Sequence, residues 1–238
     1  VVAVAQLLLK RAGHPVAVDG VFGPGTKAAV EAFQEGRLVE DGVIGLNTWS
    51  RLREQAPLPI VDCIDIFDPD LDTSERRYLR ETGSSPITLG GMGNGVDQAV
   101  TDILSRSSNI CLLRFHGHGA PGLAGVSEGH GEVFSRSTFL DDHVTMHAMR
   151  RLMAAFGGYG SIQFMHCKTG QGAAGAQFLR HVADAAGVPV AAAIDLQYAG
   201  SLRETVRFEG RTRTVCPGGA SLFNWAQRLP EFVGRSFL

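Results

Sequence analysis

"NICLLRFHGHGAPG", residues 109–122, decides how the chain is read. Its first half is an unbroken apolar run, as expected of a strand buried on both faces. Its second half sets His116 and His118 among Gly117, Gly119 and Gly122. Imidazole titrates near neutral pH, and glycine lets a backbone approach a neighbour closely. A second run has the same design. "GSIQFMHCKTGQGAAG", residues 160–175, is an apolar strand that ends in His166 and Cys167 and then turns through glycines.

Working outward, short apolar runs alternate with amphipathic stretches. Strands are expected at 60–67, 109–115, 160–166 and 188–195. Helices are expected at 93–107, at 142–158 with glycines ending it, and at 172–187. The stretch 68–86 reads as a polar loop with at most one helical turn. The tail 204–219 reads as a hairpin turning at Glu209-Gly210. Strand-helix-strand order implies parallel crossovers, hence an α/β fold with a three-layer α/β/α sandwich and a mostly parallel sheet. Such sheets bind ligands beyond the carboxyl ends of their strands. His116, His118, His166 and Cys167 then share one edge. If the two strands are neighbours, a histidine and a cysteine about fifty residues apart in sequence meet there.

A thiol is a weak nucleophile until ionised, and Lys168 with the positive end of the following helix would favour the thiolate. A histidine across the cleft can protonate a leaving amine and later activate water. Backbone N–H groups of Gly119 and Cys167 are candidates to hold an oxyanion, with glycine at 119 leaving room for the incoming carbonyl. "LLRFHGHGAPG" and "IQFMHCKTGQGAAG" resemble the motifs of the caspase, gingipain and clostripain group of cysteine peptidases (clan CD type). Residues of about 95–200 carry the resemblance. It implies a caspase-like domain that hydrolyses peptide (amide) bonds, with His118 and Cys167 as the catalytic dyad, His116 in a supporting place and no cofactor. His166 departs from the pattern, which more often has a small or apolar residue before the cysteine. Asp195 ends the strand after the cysteine helix, where related peptidases build a substrate pocket. A carboxylate there would favour Lys or Arg, and a solvated strand-end aspartate is the other reading.

The first fifty residues repeat themselves. "VDGVFGPGT" (18–26) recurs as "EDGVIGLNT" (40–48), each an Asp-Gly turn followed by a threonine placed as a helix N-cap. Helical stretches precede, separate and follow the two turns. Leu7, Leu8, Val21, Phe22, Val30, Phe33, Val43, Ile44, Trp49 and Leu52 are the expected small core. This segment resembles the bacterial peptidoglycan-binding domain of three-helix type, through Gln6, Leu9, Asp19, Gly20, Thr26, Phe33, Gln34, Asp41, Gly42, Thr48 and Trp49 among others. The resemblance implies peptidoglycan as a partner and a place in the bacterial cell envelope, periplasmic or secreted. The expected organisation is residues 1–54 as this module, 55–60 as a Pro-containing linker and 61–238 as the α/β domain.

The chain has 238 residues, 44% of them apolar, and a formal charge of −2. That composition supplies a packed core and argues against nucleic acid bound through a broad basic surface. No apolar run approaches the roughly 18 residues of a membrane span. The chain begins at Val1, which leaves a preceding secretion signal open. Cys63, Cys111, Cys167 and Cys216 form no CxxC pair, and their redox state stays open. Cys63 and Cys111 fall in strands and read as core. Two rival readings accompany the cysteine peptidase. One is a zinc-dependent peptidoglycan amidase or peptidase using His116-x-His118 with His130, His143, His147 or His166. The other is a catalytically inactive caspase-like protein that binds the wall.

Overall fold

Residues 2–55, 60–65, 74–81, 86–89, 95–126, 143–198 and 208–228 are described by the structure, a computed structural model. The linker residues 56–59, His130 and the first arm of the expected tail hairpin lie outside the described residues. The chain divides near residue 58 into two compact units, the second being Pro59–Trp225.

In the first unit, α1 (Val2–Arg11), α2 (Pro24–Gln34) and α3 (Leu46–Gln55) close around Leu8, Leu9, Val30, Phe33 and Leu52. The turns between the helices are organised by polar residues. The Gln6 amide nitrogen lies 2.7 Å from Asp19 Oδ1, 2.9 Å from the Val21 carbonyl and 2.9 Å from Thr26 Oγ1, and Gln6 Oε1 accepts from Gly20 N–H at 2.8 Å. Gln34 repeats the set with Asp41, the Val43 carbonyl and Thr48 at 3.0, 2.9 and 3.1 Å, and with Gly42 N–H at 2.9 Å. One buried glutamine thus bonds each turn's backbone and side-chain groups at once, as a buried amide requires.

Two expectations are corrected by this arrangement. Thr26 and Thr48 sit at the third position of α2 and α3, linking glutamine to turn, and do not cap the helices. Phe22 and Val43 are 44% and 58% exposed and stay out of the core, because the interior of each turn is filled by the glutamine network.

The second unit is α/β. In chain order it holds β1 (Ile60–Asp65), α4 (Arg76–Glu81), β2 (Ile87–Leu89), α5 (Gly95–Arg106) and β3 (Ile110–His116). The two-residue strands β4 (Gly119–Ala120) and β5 (Leu123–Ala124) follow, then α6 (His143–Arg151), β6 (Phe156–Met165), α7 (Gly172–Ala186), β7 (Val190–Ala193), β8 (Thr212–Val215) and α8 (Leu222–Ala226). The main sheet runs β2-β1-β3-β6-β7-β8, parallel except for β8, which pairs antiparallel with β7. This is a mostly parallel mixed sheet. β8 contains the second arm of the expected hairpin, and its described pairing is with β7.

Alternate strand residues face opposite sides of a sheet. Cys63, Leu113, Phe115, Ile162 and Phe164 face the layer in which α5 packs on α6 and α6 on α7. Ile64 faces the other way and packs with Leu79 of α4. Strand order reverses direction between β1 and β3, so the crevice beyond their carboxyl ends is the place such a sheet offers a ligand.

The helix expected over 142–158 is shorter. A 3-10 turn, Leu152–Ala155, ends it, and β6 begins at Phe156. Ile110 pairs with Phe156 and Leu112 with Ser161, so residues 157–160 bulge out of register. The glycines there serve the bulge. A Cβ on Gly157 would lie 2.6 Å from Asn109 Oδ1. The polar stretch 68–86 contains a full six-residue helix, α4, where a single turn was expected. Among the described residues, no helix is long and apolar enough to cross a membrane.

Candidate active site

β3 and β6 are adjacent and parallel, with His116 opposite Met165. Their carboxyl ends therefore leave the sheet side by side. Beyond β3 the chain passes through Gly117, His118 and Gly119 into the β4–β5 hairpin, which reverses at Pro121-Gly122. Proline followed by a glycine at positive φ is the sequence of a type II turn. Beyond β6 come His166 and Cys167.

The two ends are fastened together. Thr169 Oγ1 donates to the Leu123 carbonyl at 2.6 Å, and Gly122 N–H donates to the Thr169 carbonyl at 3.1 Å. The His166 ring is fully buried, with Nε2 2.6 Å from the Gly125 carbonyl. Burial pushes the His166 ring down to about 3, with His116 and His118 adding to the fall and the Gly125 carbonyl opposing it. The ring is neutral at ordinary pH. A carbonyl only accepts, so Nε2 carries the proton, and Nδ1 has no hydrogen-bond partner among the described residues.

The glycines around His118 follow from that ring. A Cβ on Gly117 would crowd the Gly125 carbonyl and sit 2.8 Å from His166 Nε2. A Cβ on Gly119 would sit 2.7 Å from His166 Cβ and 2.9 Å from the Cys167 carbonyl. All three distances are below any normal carbon contact. Glycine at 119 is thus required by the residues beneath it, a different reason from the expected room for a carbonyl. His118 itself is exposed above this floor.

Cys167 is half-buried. Its Sγ lies 3.3 Å from Gln197 N, which donates to it, and 3.4 Å from the Gln197 carbonyl, to which the thiol donates. Lys168 N–H donates to the Asp195 carbonyl at 3.0 Å and Gly170 N–H to the Ala193 carbonyl at 2.8 Å. The cysteine turn is therefore laced to the chain that continues β7. Arg213 of β8 closes it from outside, donating to the Gly170 carbonyl at 2.8 Å and also to that of Gly172.

His116 turns away from this edge. Its side chain is buried on the α4 face of the sheet, Nδ1 2.9 Å from Glu75 Oε2 and Nε2 3.2 Å from Asp62 Oδ1. Arg114 Nε reaches the same Asp62 oxygen at 2.6 Å. Burial works against a charge on His116, but the two carboxylates outweigh it and raise its pKa above the ordinary value. Burial likewise works against the Asp62 carboxylate, and His116 and Arg114 outweigh it, holding its pKa well below the usual range. Asp195 lies on the β7 side of the cysteine turn. Its carboxylate accepts from Arg211 Nη2 at 2.9 Å, Nε at 3.2 Å and the backbone N–H at 3.0 Å, which lowers its pKa. A cationic substrate group would have to compete with that arginine.

The structure thus brings His118, Gly119 and Cys167 to one edge, puts Asp195 along the next strand and places His116 in a buried ion cluster. Sequence reasoning missed the work of His166, Thr169 and Gln197, and the pairing of Asp62, Glu75 and Arg114 with His116. A charged residue inside an apolar strand was the available signal for Asp62 and Arg114, since a buried charge needs a counter-charge. Cys63, Cys111, Cys167 and Cys216 are free thiols. Among the described residues, no three His, Cys, Asp or Glu side chains are grouped so as to hold a metal ion. His147 is exposed on α6.

Comparison with known proteins divides the chain in the same way. Residues 1–52 match the family model described as "Putative peptidoglycan binding domain". A zinc D-Ala-D-Ala carboxypeptidase of Streptomyces albus G is 45% identical over 56 residues, 21% of this chain and 22% of that protein. The chain thus spans about a fifth of the length of the curated relative it matches. No solved structure matches the chain. The family model "Domain of unknown function (DUF4347)" matches residues 76–202, more than half of the chain and the part that holds both His118 and Cys167, and the chain belongs to that family.

Proposed function

We propose that the chain is a peptidoglycan-associated cysteine peptidase of caspase-like type, acting at the bacterial cell envelope or outside it. Cys167 gives its thiol proton to His118 and attacks a peptide carbonyl, and His118 passes that proton to the departing amine. Water, deprotonated by His118, then hydrolyses the thioester and frees the thiol. Gly119 offers its N–H to the oxyanion, and Asp195 biases the site toward basic side chains when Arg211 yields. The substrate is a protein or peptide held near the wall, and no cofactor takes part.

One observation carries this reading: two adjacent parallel strands, β3 and β6, end in the turn of His118 and in Cys167, at the carboxyl edge where such sheets bind ligands. The residues between them are locked to each other by His166 and Thr169. The match of residues 1–52 supports the wall as the anchoring partner.

Iodoacetamide is expected to alkylate Cys167 faster than Cys63, Cys111 or Cys216 and to stop release of amines from protein and wall-peptide substrates. Cys167→Ala is expected to abolish that release while the protein still sediments with peptidoglycan sacculi. Undiminished turnover in Cys167→Ala would overturn the proposal.

The name of the Streptomyces relative favours a second reading, a zinc hydrolase. Its 56-residue match is too short to span residues 76–202. Activity lost to a chelator and restored by zinc, with Cys167→Ala active, would establish it in place of the first.

A further inference from the structure

We infer that His166 is a positioning residue that sets the His118 turn over Cys167 through its Nε2–H bond to Gly125; the inference rests on the Cys167–His118 reading above. His166 is bonded in sequence to Cys167 and in space to the hairpin that follows His118. The link is short: His166 Nε2–H to the Gly125 carbonyl at 2.6 Å, then Gly125 N–H to the His118 carbonyl at 2.9 Å. His166, together with the Gly125 carbonyl at Gly117 and Thr169 Oγ1 at Gly119, fills the space that side chains there would need, so the turn rests on it from both sides of His118.

The choice of histidine calls for a reason. A buried apolar ring would fill the same volume without leaving Nδ1 unsatisfied. An unpaired buried acceptor is a cost the fold bears only if the other nitrogen is needed. Phe164 packs edge-on against the ring, with centroids 5.7 Å apart, and limits its freedom to tilt. Nε2–H is then a fixed donor, aimed at the one carbonyl whose position sets the end of the hairpin. No proton moves through His166. It acts on His118 by placing it.

The pH profile of Cys167 alkylation by iodoacetamide tests this, because it reports whether an imidazole is coupled to the thiol without needing a substrate. His118→Ala is expected to lose the inflection that the whole protein shows. His166→Phe, which keeps bulk and loses the donor, is expected to lose the same inflection and to alkylate about tenfold more slowly at neutral pH. His166→Gln, whose amide can still donate to Gly125, is expected to restore most of both. Gly117→Ala leaves His166 in place but intrudes on both ends of the link, the Gly125 carbonyl and Nε2, and is expected to behave like His166→Phe. It also keeps the test decisive if the phenylalanine variant does not fold. A wild-type profile in folded His166→Phe or in Gly117→Ala overturns the inference, as does equal loss in His166→Gln and His166→Phe. If His118→Ala itself matches the unaltered protein, the dyad reading fails, and this inference with it.

Discussion

Asp62, Glu75, Arg114 and His116 come from β1, the residue before α4, and β3, and they share one buried volume against the sheet. With the imidazole protonated, the cluster carries two acids and two bases, so no charge is left uncompensated. Removing one member of such a set typically costs about 3–5 kcal/mol, because its counter-charge stays buried. The sign of the pH dependence follows from the raised His116 value. Below the ordinary 6.5 the ring is protonated in folded and unfolded chains alike, and its full stabilisation is present; as pH climbs through the raised folded value, that stabilisation is lost. Asp62 acts in the opposite sense and loses its contribution only in strong acid. Urea melts of the whole protein are expected to weaken steadily above pH 6.5. His116→Gln is expected to be less stable by about 3 kcal/mol at pH 6 and to lack that alkaline slope. An unchanged slope in the variant would mean that another group titrates there. Asp62 and Arg114 were legible as charges stranded in apolar runs. Glu75 was not, because it lies in a polar stretch where an acid carries no pattern.

At the scale of elements, the parallel crossovers were readable because strands buried on both faces leave long apolar runs. The sequence pattern overruns the helix between β3 and β6 for a physical reason. A helix stop and a strand bulge both call for glycine, and only tertiary contact with Asn109 distinguishes them. The β4–β5 hairpin was also beyond the sequence. Two residues per strand carry no periodicity, and the element exists because Thr169 and His166 hold it from outside. An isolated hairpin of this length has no independent stability. Thr169→Val keeps the shape of the buried side chain and removes the donor to the Leu123 carbonyl. The expected cost is about 1–2 kcal/mol. Amide exchange at Gly122, whose N–H bonds to Thr169, is expected to quicken by about tenfold. Exchange at the centre of β3 is expected to change far less. Equal acceleration at both places would mean that the hairpin opens only with the whole unit.

At the scale of the molecule, the proposed reading joins a wall-binding module to a hydrolase in one chain, which would raise the concentration of wall-bound substrate near the site without any new contact. The module was legible nearly residue by residue, because its turn repeat is written twice. Its logic was less so: Gln6 and Gln34 look like surface residues in a helix, yet both are buried and each satisfies a whole turn. That makes the module fragile at one chosen point. A single core of about fifty residues supplies only about 3–5 kcal/mol of stability. Gln34→Leu would leave the buried Gly42 N–H without its acceptor, at about 1–3 kcal/mol, and would remove the amide's bonds to Asp41, the Val43 carbonyl and Thr48, which keep their bonds to one another. The loss is therefore a large share of what holds the module folded. In the whole protein, Gln34→Leu is expected to abolish sedimentation with sacculi and to leave alkylation of Cys167 by iodoacetamide unchanged. Release of amines from a soluble peptide would persist, while release from wall-attached substrate falls at low enzyme concentration and recovers as concentration rises. That recovery separates a tether from a participant in the chemistry. If excess enzyme fails to restore the rate, residues 1–52 do more than concentrate the substrate.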